Sequence, residues 1–485
     1  MADESIALLT IREQANLIKD KKLSALELTE LYLKRIDRLD NRLHAFNHVL
    51  RDEALAAAQE ADREIAAGRY RGPMHGIPVA AKDQMDIRGA PNTAGSRVYL
   101  GNIAAEDATI IARLRQAGAI IMGNLATHEF HMGTTLRFLK EHPANPWDLS
   151  RTPGGSSSGS ASSVAAGLVS GSLGGDTGGS IRGPAGFNNI VGLRPTWSRL
   201  SRAGIFTLAW SMDTAGPLAR SAEDCAIMLQ AMAGYDPKDP TTSREPVPDY
   251  TVGLDGDVRG MRVALVEETL VEIEDDTRKA VEVALVVLKN LGAKVERISI
   301  PLVSKMRGVH TAVVDAEAAS YHRGKLLEGH YLEYDYSTRV RLMVGTLLPS
   351  ALATLAMRAR AALAAQVLGT FERYDVLVTP ANTGGATPIP TQTGIRSKAD
   401  AARLLQWDAS SGGTGTASSA RNAFSLTGVP AISIPCGFNA KRLPLGFQLA
   451  ARQLGEATLF RACHAYQQAT DWHKQHPPMQ WANEK

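Results

Sequence analysis

The sequence predicts an α/β fold, a single large domain in which helices pack on a β-sheet. Three observations predict this. Helix, glycine stop and strand follow one another in "DATIIARLRQAGAIIMGN" (107–124) and again through "MRVALVEE" (261–268) and "TRKAVEVALVVLKNLGAKVERISI" (277–300), the unit that packs a helix on a strand in open sheets. Short apolar runs return late in the chain, at 430–438 and 445–452, after a long helical stretch. No break in composition resembles a linker outside one Gly/Ser-rich segment, so residues 1–485 read as one body.

Taken in order, residues 1–70 form a helical lead-in. Ser24 is a start signal for "SALELTELYLKRIDRLD", and "DEALAAAQEADREIAAG" stops at Gly68. The period changes in "HGIPVAAKDQMD" (75–86), a strand-like run over 77–81 that ends on Lys82 and Asp83 and so places charge at a strand end. The first helix–strand unit follows. Further on, "SVAAGLVSGSLG" (163–174) reads as an apolar helical stretch. The second unit lacks GxGxxG after its first strand, and Gly324-Lys325 is followed by Leu326, so neither a dinucleotide site nor a Walker loop is present. Residues 300–374 are mainly helical, "DVLVTP" (375–380) is a strand, and a Gly/Pro/Thr loop covers 380–394. Strands at "PAISIPCGF" and "LGFQLAAR" and a helix over 456–470 close the chain.

Composition bounds the function. With 44% hydrophobic and 21% charged residues the chain is an ordinary globular one. A formal net charge of +3, with no Lys/Arg block beyond "KDKK" (19–22), disfavours nucleic acid as a partner. No apolar run is seen to reach the roughly 18 residues of a membrane span, so no membrane is expected, and a cytoplasmic location is. Cys225, Cys436 and Cys463 lie far apart without a CxxC pair, which predicts buried thiols and neither a disulfide framework nor a zinc site.

The Gly/Ser-rich segment 154–186 holds eleven glycines and nine serines. A flexible linker has that composition. Against it, the segment embeds apolar residues and keeps Asp176 and Arg182 in fixed relation to Ser180. In "DTGGS" (176–180) glycine lets successive N–H groups point into one concavity and leaves room for close approach. Donors converging beside a hydroxyl form an oxyanion hole, with Ser180 as the nucleophile. A rival reading centres on Ser157, because "GSSSG" (155–159) matches the GxSxG elbow. The elbow needs a strand before it, and "EHPANPWDLSRTP" (141–153), with three prolines, is no strand.

At these residues the chain resembles the amidase signature family. The likeness lies in "GGSSSGSASSVAAGLVSGSLGGDTGGSIRGPAG" (154–186), "GIPVAAKDQMD" (76–86) and "VGLRPTWSRLSRAGI" (191–205), and extends through "GPLARSAED", "YDVLVTP" and "LTGVPAISIP". The resemblance implies the family's α/β/α sandwich, a large mixed β-sheet core covered by helices, with 76–225 as the signature core and 226–485 as the rest of the same fold. It implies a triad of Ser180 as nucleophile, Ser156 as the cis-serine and Lys82 as base. The family's oxyanion donors fall on the backbone of Thr177, Gly178, Gly179 and Ser180, and Asp176 and Arg182 match its supporting polar pair, with Ser157 beside them. Ser158 stands where the family usually has glycine. The chemistry agrees: a lysine shielded from water loses affinity for its proton, and neutral Lys82 then draws the Ser180 proton through the Ser156 hydroxyl.

Other constellations are weaker. "HEFH" (128–131) lacks HExxH spacing, so His128, Glu129 and His131 are not read as a metal site, and no cofactor is expected. By resemblance Met132 and Gly133 lie beside the acyl pocket. Phe206 and Trp210, in the apolar "IFTLAWSMD" (205–213), are either substrate contacts or core. Trp407 and the loop 408–424 close over the pocket in the same reading. The family's glutamine-using subunits place an acidic residue shortly before "LTGVPAISIP"; here Ser418, Ser419 and Arg421 precede it, which counts against free glutamine as substrate. The expectation is a cofactor-free hydrolase of carboxamides acting through a serine acyl-enzyme; the resemblance implies aryl or alkyl amides as substrates, with carbamates and esters chemically adjacent. Alternatives are an amidotransferase A-type or urea-derivative hydrolase subunit, and a non-catalytic assembly module. A small-molecule amide is the expected partner, and a homodimer is compatible with the sequence.

Overall fold

Ser24 starts a helix as expected. Its hydroxyl accepts from the Glu27 amide while the Glu27 carboxylate accepts from the Ser24 amide, so two of the otherwise orphaned donors at the helix start are satisfied. The computed structural model describes residues 4–132, 141–389, 399 and 416–483. Helices α1 (Ile11–Lys19), α2 (Ala25–Leu43) and α3 (Arg51–Ala66) form the lead-in. It is not wholly helical. A four-residue strand, β1 (Phe46–Val49), lies between α2 and α3 and pairs antiparallel with β3 (Ile120–Leu125). Too short to show a period, it is held by that partner and not by local preference.

The elements that follow are β2 (Pro78–Lys82), α4 (Thr109–Gln116), β3, α5 (Ser158–Ala165), β4 (Gly171–Asp176), α6 (Arg182–Asn188), β5 (Val191–Arg194), β6 (Thr214–Ala219) and α7 (Ala222–Met232). Then come β7 (Arg262–Val266), α8 (Asp275–Asn290), β8 (Lys294–Ile298), α9 (Met306–Leu327), α10 (Tyr336–Leu347), α11 (Ser350–Thr370) and β9 (Val376–Pro380). The last are α12 (Thr416–Thr427), β10 (Ala431–Phe438), β11 (Pro444–Ala450) and α13 (Glu456–Gln468). One eleven-stranded sheet takes them in the order β1-β3-β2-β4-β6-β5-β10-β11-β9-β7-β8. Strands β3, β2 and β4 are mutually parallel, as are β9, β7 and β8, while the middle of the sheet is antiparallel. The sheet is therefore mixed, as expected.

Every residue of β2, β3, β4, β6, β9 and β11 is buried. Side chains alternate between faces along a strand, so this pattern means that both faces are covered. Helices α5 and α6 pack on each other and on β4, β5, β10 and β11, while α7, α8 and α13 form a second packed group on β5, β6, β10 and β11. Helices α9, α10 and α11 associate and rest on α12.

Two expectations are corrected. The stretch 163–174, read as helical, divides: α5 ends at Ala165 and β4 begins at Gly171. A β-carbon added at Gly174 would lie 2.7 Å from Leu218 Cδ1, and one at Gly175 would lie 2.5 Å from the Gln84 amide. Glycine is used there because neighbours press on the strand, and it erases the alternation by which a strand is recognised. Second, one apolar run does reach spanning length: among the described residues, α11 is long and apolar enough to cross a membrane. It packs on α9 and α12, and its Arg360 guanidinium donates to Leu426 O and to Ser211. Cys225, Cys436 and Cys463 are free and buried, as predicted.

Candidate active site

Parallel neighbours end on the same edge of a sheet, and β2 and β4 are parallel neighbours with Ala81 opposite Leu173. Lys82 is the last residue of β2 and Asp176 the last of β4. The two charged strand ends thus face one small region, into which the 177–181 turn projects.

Asp176 organises that turn. Its carboxylate accepts from Arg182 Nε and Nη2, both at 3.0 Å, from Arg194 Nη1 at 3.3 Å, and from the amides of Gly179 (2.8 Å) and Ile181 (3.2 Å). Burial works against the charge, but the two guanidiniums and these donors hold the carboxyl well below its ordinary value. Arg182 has no exposed surface and spends its remaining donors on Gln448 Oε1, Arg421 O and Ser425 Oγ. Removing one partner of such a cluster strands the others in the interior. Asp176→Ala is expected to lower stability by about 3–5 kcal/mol in urea unfolding. Because the carboxyl is held low in the folded protein, its stabilising effect is present above the ordinary carboxylate range and is lost as pH falls below it.

The hydrogen bonds of the turn decide which amides remain open. Gly179 donates to Asp176, which removes it from the expected set of oxyanion donors. Gly179 O accepts from the Gly183 amide (2.8 Å) and Ser180 O from the Ser157 amide (3.3 Å). Among the described residues the amides of Gly178 and Ser180 donate to nothing, and these two residues are the partly accessible ones in a stretch, 171–180, that is otherwise buried. The Thr177 amide likewise donates to nothing among the described residues, but Thr177 is buried, and its hydroxyl donates to Asp213 Oδ1 at 2.5 Å.

Across from the turn, a cis peptide joins Gly155 to Ser156. Lys82 Nζ lies 2.7 Å from Ser156 Oγ, with Lys82 wholly buried and Ser156 2% exposed. Burial pushes the Lys82 pKa down to about 7 against the opposing pull of Asp176 and Asp213. The Ser157–Ser180 backbone contact holds the Ser180 turn against this pair, and among the described residues the Ser180 hydroxyl has no hydrogen bond of its own.

Ser157 is occupied structurally. It is fully buried, and its hydroxyl donates to Gly175 O (3.2 Å) and accepts from the Gly175 amide (3.3 Å). No strand precedes it among residues 141–157. Ser157→Ala is expected to leave activity within a few fold and to reduce stability by about 1–2 kcal/mol, checked by kcat and thermal unfolding. Ser158 opens α5 and donates to Ala126 O at 3.3 Å.

The expected pocket residues divide. Met132 is buried, and Phe206 is half-buried in an aromatic cluster with Tyr99, Phe130, Tyr321 and His322, at centroid distances of 4.9, 5.3, 5.4 and 6.2 Å. The Phe206 amide donates to Gln84 O, two residues beyond Lys82, so this cluster adjoins the site. Trp210 is 60% exposed and flanks Arg202 with Trp197, on the surface. Gly133, Trp407, residues 408–415 and the side chains of Ser418 and Ser419 lie outside the described residues. In "HEFH", Glu129 accepts from Ser96 Oγ and from the Asp335 amide, tying distant segments together, and burial raises its pKa to about 7. Arg194, at Asp176, and Asp213, His310 and Asn422, at the 177–181 turn, carry no mark in the sequence. Their partners lie 18 to 244 positions away, so no local pattern marks them.

Comparison with known proteins gives the family. The amidase family model matches residues 27–460. The chain is 37% identical to an amidase of Pseudomonas putida over 98% of its own length and 99% of that protein's. It is 38% identical to a glutamyl-tRNA(Gln) amidotransferase subunit of Geobacter metallireducens, over 96% and 98% of the two chains. The solved peptide amidase of Stenotrophomonas maltophilia superposes with a TM-score of 0.83 at 30% identity, covering 97% of this chain and 98% of that one. Family model, relatives and fold coincide over nearly the whole length, and the chain belongs to the amidase signature family.

Proposed function

We propose that this protein hydrolyses carboxamide C–N bonds through an acyl-enzyme on Ser180. The observation that carries the reading is the buried Lys82 Nζ, 2.7 Å from Ser156 Oγ, beside a turn where the partly accessible Gly178 and Ser180 keep open amides. Neutral Lys82 accepts the Ser156 proton as Ser156 takes the proton of Ser180, whose oxygen adds to the carbonyl carbon. The amides of Gly178 and Ser180 meet the resulting oxyanion. The proton returns through Ser156 to the amine nitrogen as the C–N bond breaks. Water then adds to the ester, its proton following the same route, and releases the acid and free Ser180. No step calls for a metal or cofactor.

The aromatic cluster around Phe206 favours aryl or alkyl amides, and carbamates and esters pass through the same oxyanion. A second reading, an amidotransferase component, is supported by the relatives of that name. Against it, the segment 418–425 carries no carboxylate for a glutamine ammonium, and Arg421 is buried beside Gly179. A panel of anilides, primary amides, carbamates and glutamine separates the two. The isolated chain is expected to release amine or ammonia from non-glutamine amides. Release from glutamine alone would favour the amidotransferase reading.

A further inference from the structure

The open amides of Gly178 and Ser180 point where they do because the carbonyls on the other side of the turn are held. In a trans peptide C=O and N–H point in opposite directions, so fixing one aims the other. Backbone donors hold two of the carbonyls, Gly179 O through Gly183 and Ser180 O through Ser157. The other two are held by side chains from elsewhere in the fold. His310 Nε2, from α9, lies 3.3 Å from Thr177 O, and Asn422 Nδ2, from α12, donates to Gly178 O at 3.0 Å.

We propose that His310 and Asn422 are positioning residues for the oxyanion hole, which hold the 177–179 peptides so that the Gly178 N–H faces the substrate carbonyl. The inference rests on the acyl-enzyme reading above. A carbonyl oxygen only accepts, so His310 must carry its proton on Nε2. Burial pushes the imidazole pKa down to about 4, which keeps it neutral at working pH. Neither residue touches substrate. Among the described residues the peptide following Thr177 is fixed at its oxygen by His310 alone, and its N–H is left free for an oxyanion. The next peptide is fixed at both ends, by Asn422 at Gly178 O and by Asp176 at the Gly179 amide. Glycine at 178 is what admits the clamp. A β-carbon there would lie 2.5 Å from His310 Nε2 and 2.9 Å from Asn422 Nδ2.

Misplacing a donor by about 1 Å can cost a hundredfold in rate, so small rotations of these peptides matter. His310→Ala and the isosteric Asn422→Asp, which replaces a donor with an acceptor, are expected to lower kcat by about tenfold to a hundredfold. KM on the best-hydrolysed amide of the panel should change less than about threefold. His310→Gln, which returns an amide donor near the Nε2 position, should recover most of the rate.

The readout that separates positioning from general structure is inhibitor affinity. A trifluoromethyl ketone carrying the acyl group of that amide forms a tetrahedral oxyanion with Ser180; the matching trifluoromethyl alcohol does not. Affinity for the ketone should fall in step with kcat/KM, and affinity for the alcohol should stay constant. The proposal is overturned if both variants keep kcat within threefold of wild type, or if ketone and alcohol affinities fall together. Should His310→Ala not fold, Asn422→Asp decides by the same criteria. Ser180→Ala, run alongside, distinguishes the two levels: a variant of it that still turned over would sink the acyl-enzyme reading itself.

Discussion

Ser180→Ala is expected to abolish amide turnover, by roughly 10⁴-fold or more, while the protein remains folded. The size follows from the role. Without the hydroxyl no acyl-enzyme forms, and what survives is the assistance that open amides give to direct attack by water. The folding expectation comes from the hydrogen bonds: the Ser180 hydroxyl makes none among the described residues, and the residue is partly accessible. Its main chain is held by Ser157 and by the Asp176 cluster, which the substitution leaves intact. Urea unfolding should therefore match wild type within about 0.5 kcal/mol. A loss of both activity and stability would place Ser180 in the scaffold instead.

Lys82→Met is expected to lower kcat by at least about a thousandfold and to leave the fold stable. A buried lysine opposes folding at neutral pH, since the unfolded chain holds its proton with the ordinary value of 10.5 and the folded chain with one of about 7. Between those values the unfolded state binds more protons, so stability rises with pH across the window. Methionine removes that dependence, and the stability of the variant should rise less steeply with pH than that of wild type. The same shift sets the rate profile. Wild-type kcat/KM should fall about tenfold per unit as pH drops below about 7, because the base becomes protonated. Activity unchanged from pH 8 to pH 5 would remove a neutral lysine from the mechanism.

How much of this was legible in the sequence depended on distance along the chain. The strand end at Lys82 and the cap at Ser24 are written in neighbouring residues, and both were found where predicted. Strand β4 was not, because its glycines answer to Leu218 and Gln84, which only the folded chain brings near. The glycine turn was recognised as a cradle of amides, yet the sequence does not say which amides face outward. That is decided by Asp176, which takes the Gly179 amide, and by His310 and Asn422, 133 and 244 positions from their partners. Phe206 and Trp210, four residues apart in one apolar stretch, part company because the first meets an aromatic cluster and the second covers Arg202 at the surface.

The central claim is that Lys82, acting through Ser156, activates Ser180, and the pH dependence of covalent labelling tests it most directly. A fluorophosphonate traps an activated serine hydroxyl without needing the natural substrate, and peptide mass spectrometry locates the adduct. The account predicts modification of Ser180 alone, at a rate that climbs with pH and levels off above about 7 in the wild type and is lost in Lys82→Met. Labelling of Ser157, or labelling of Ser180 that proceeds equally well without the lysine, would contradict it.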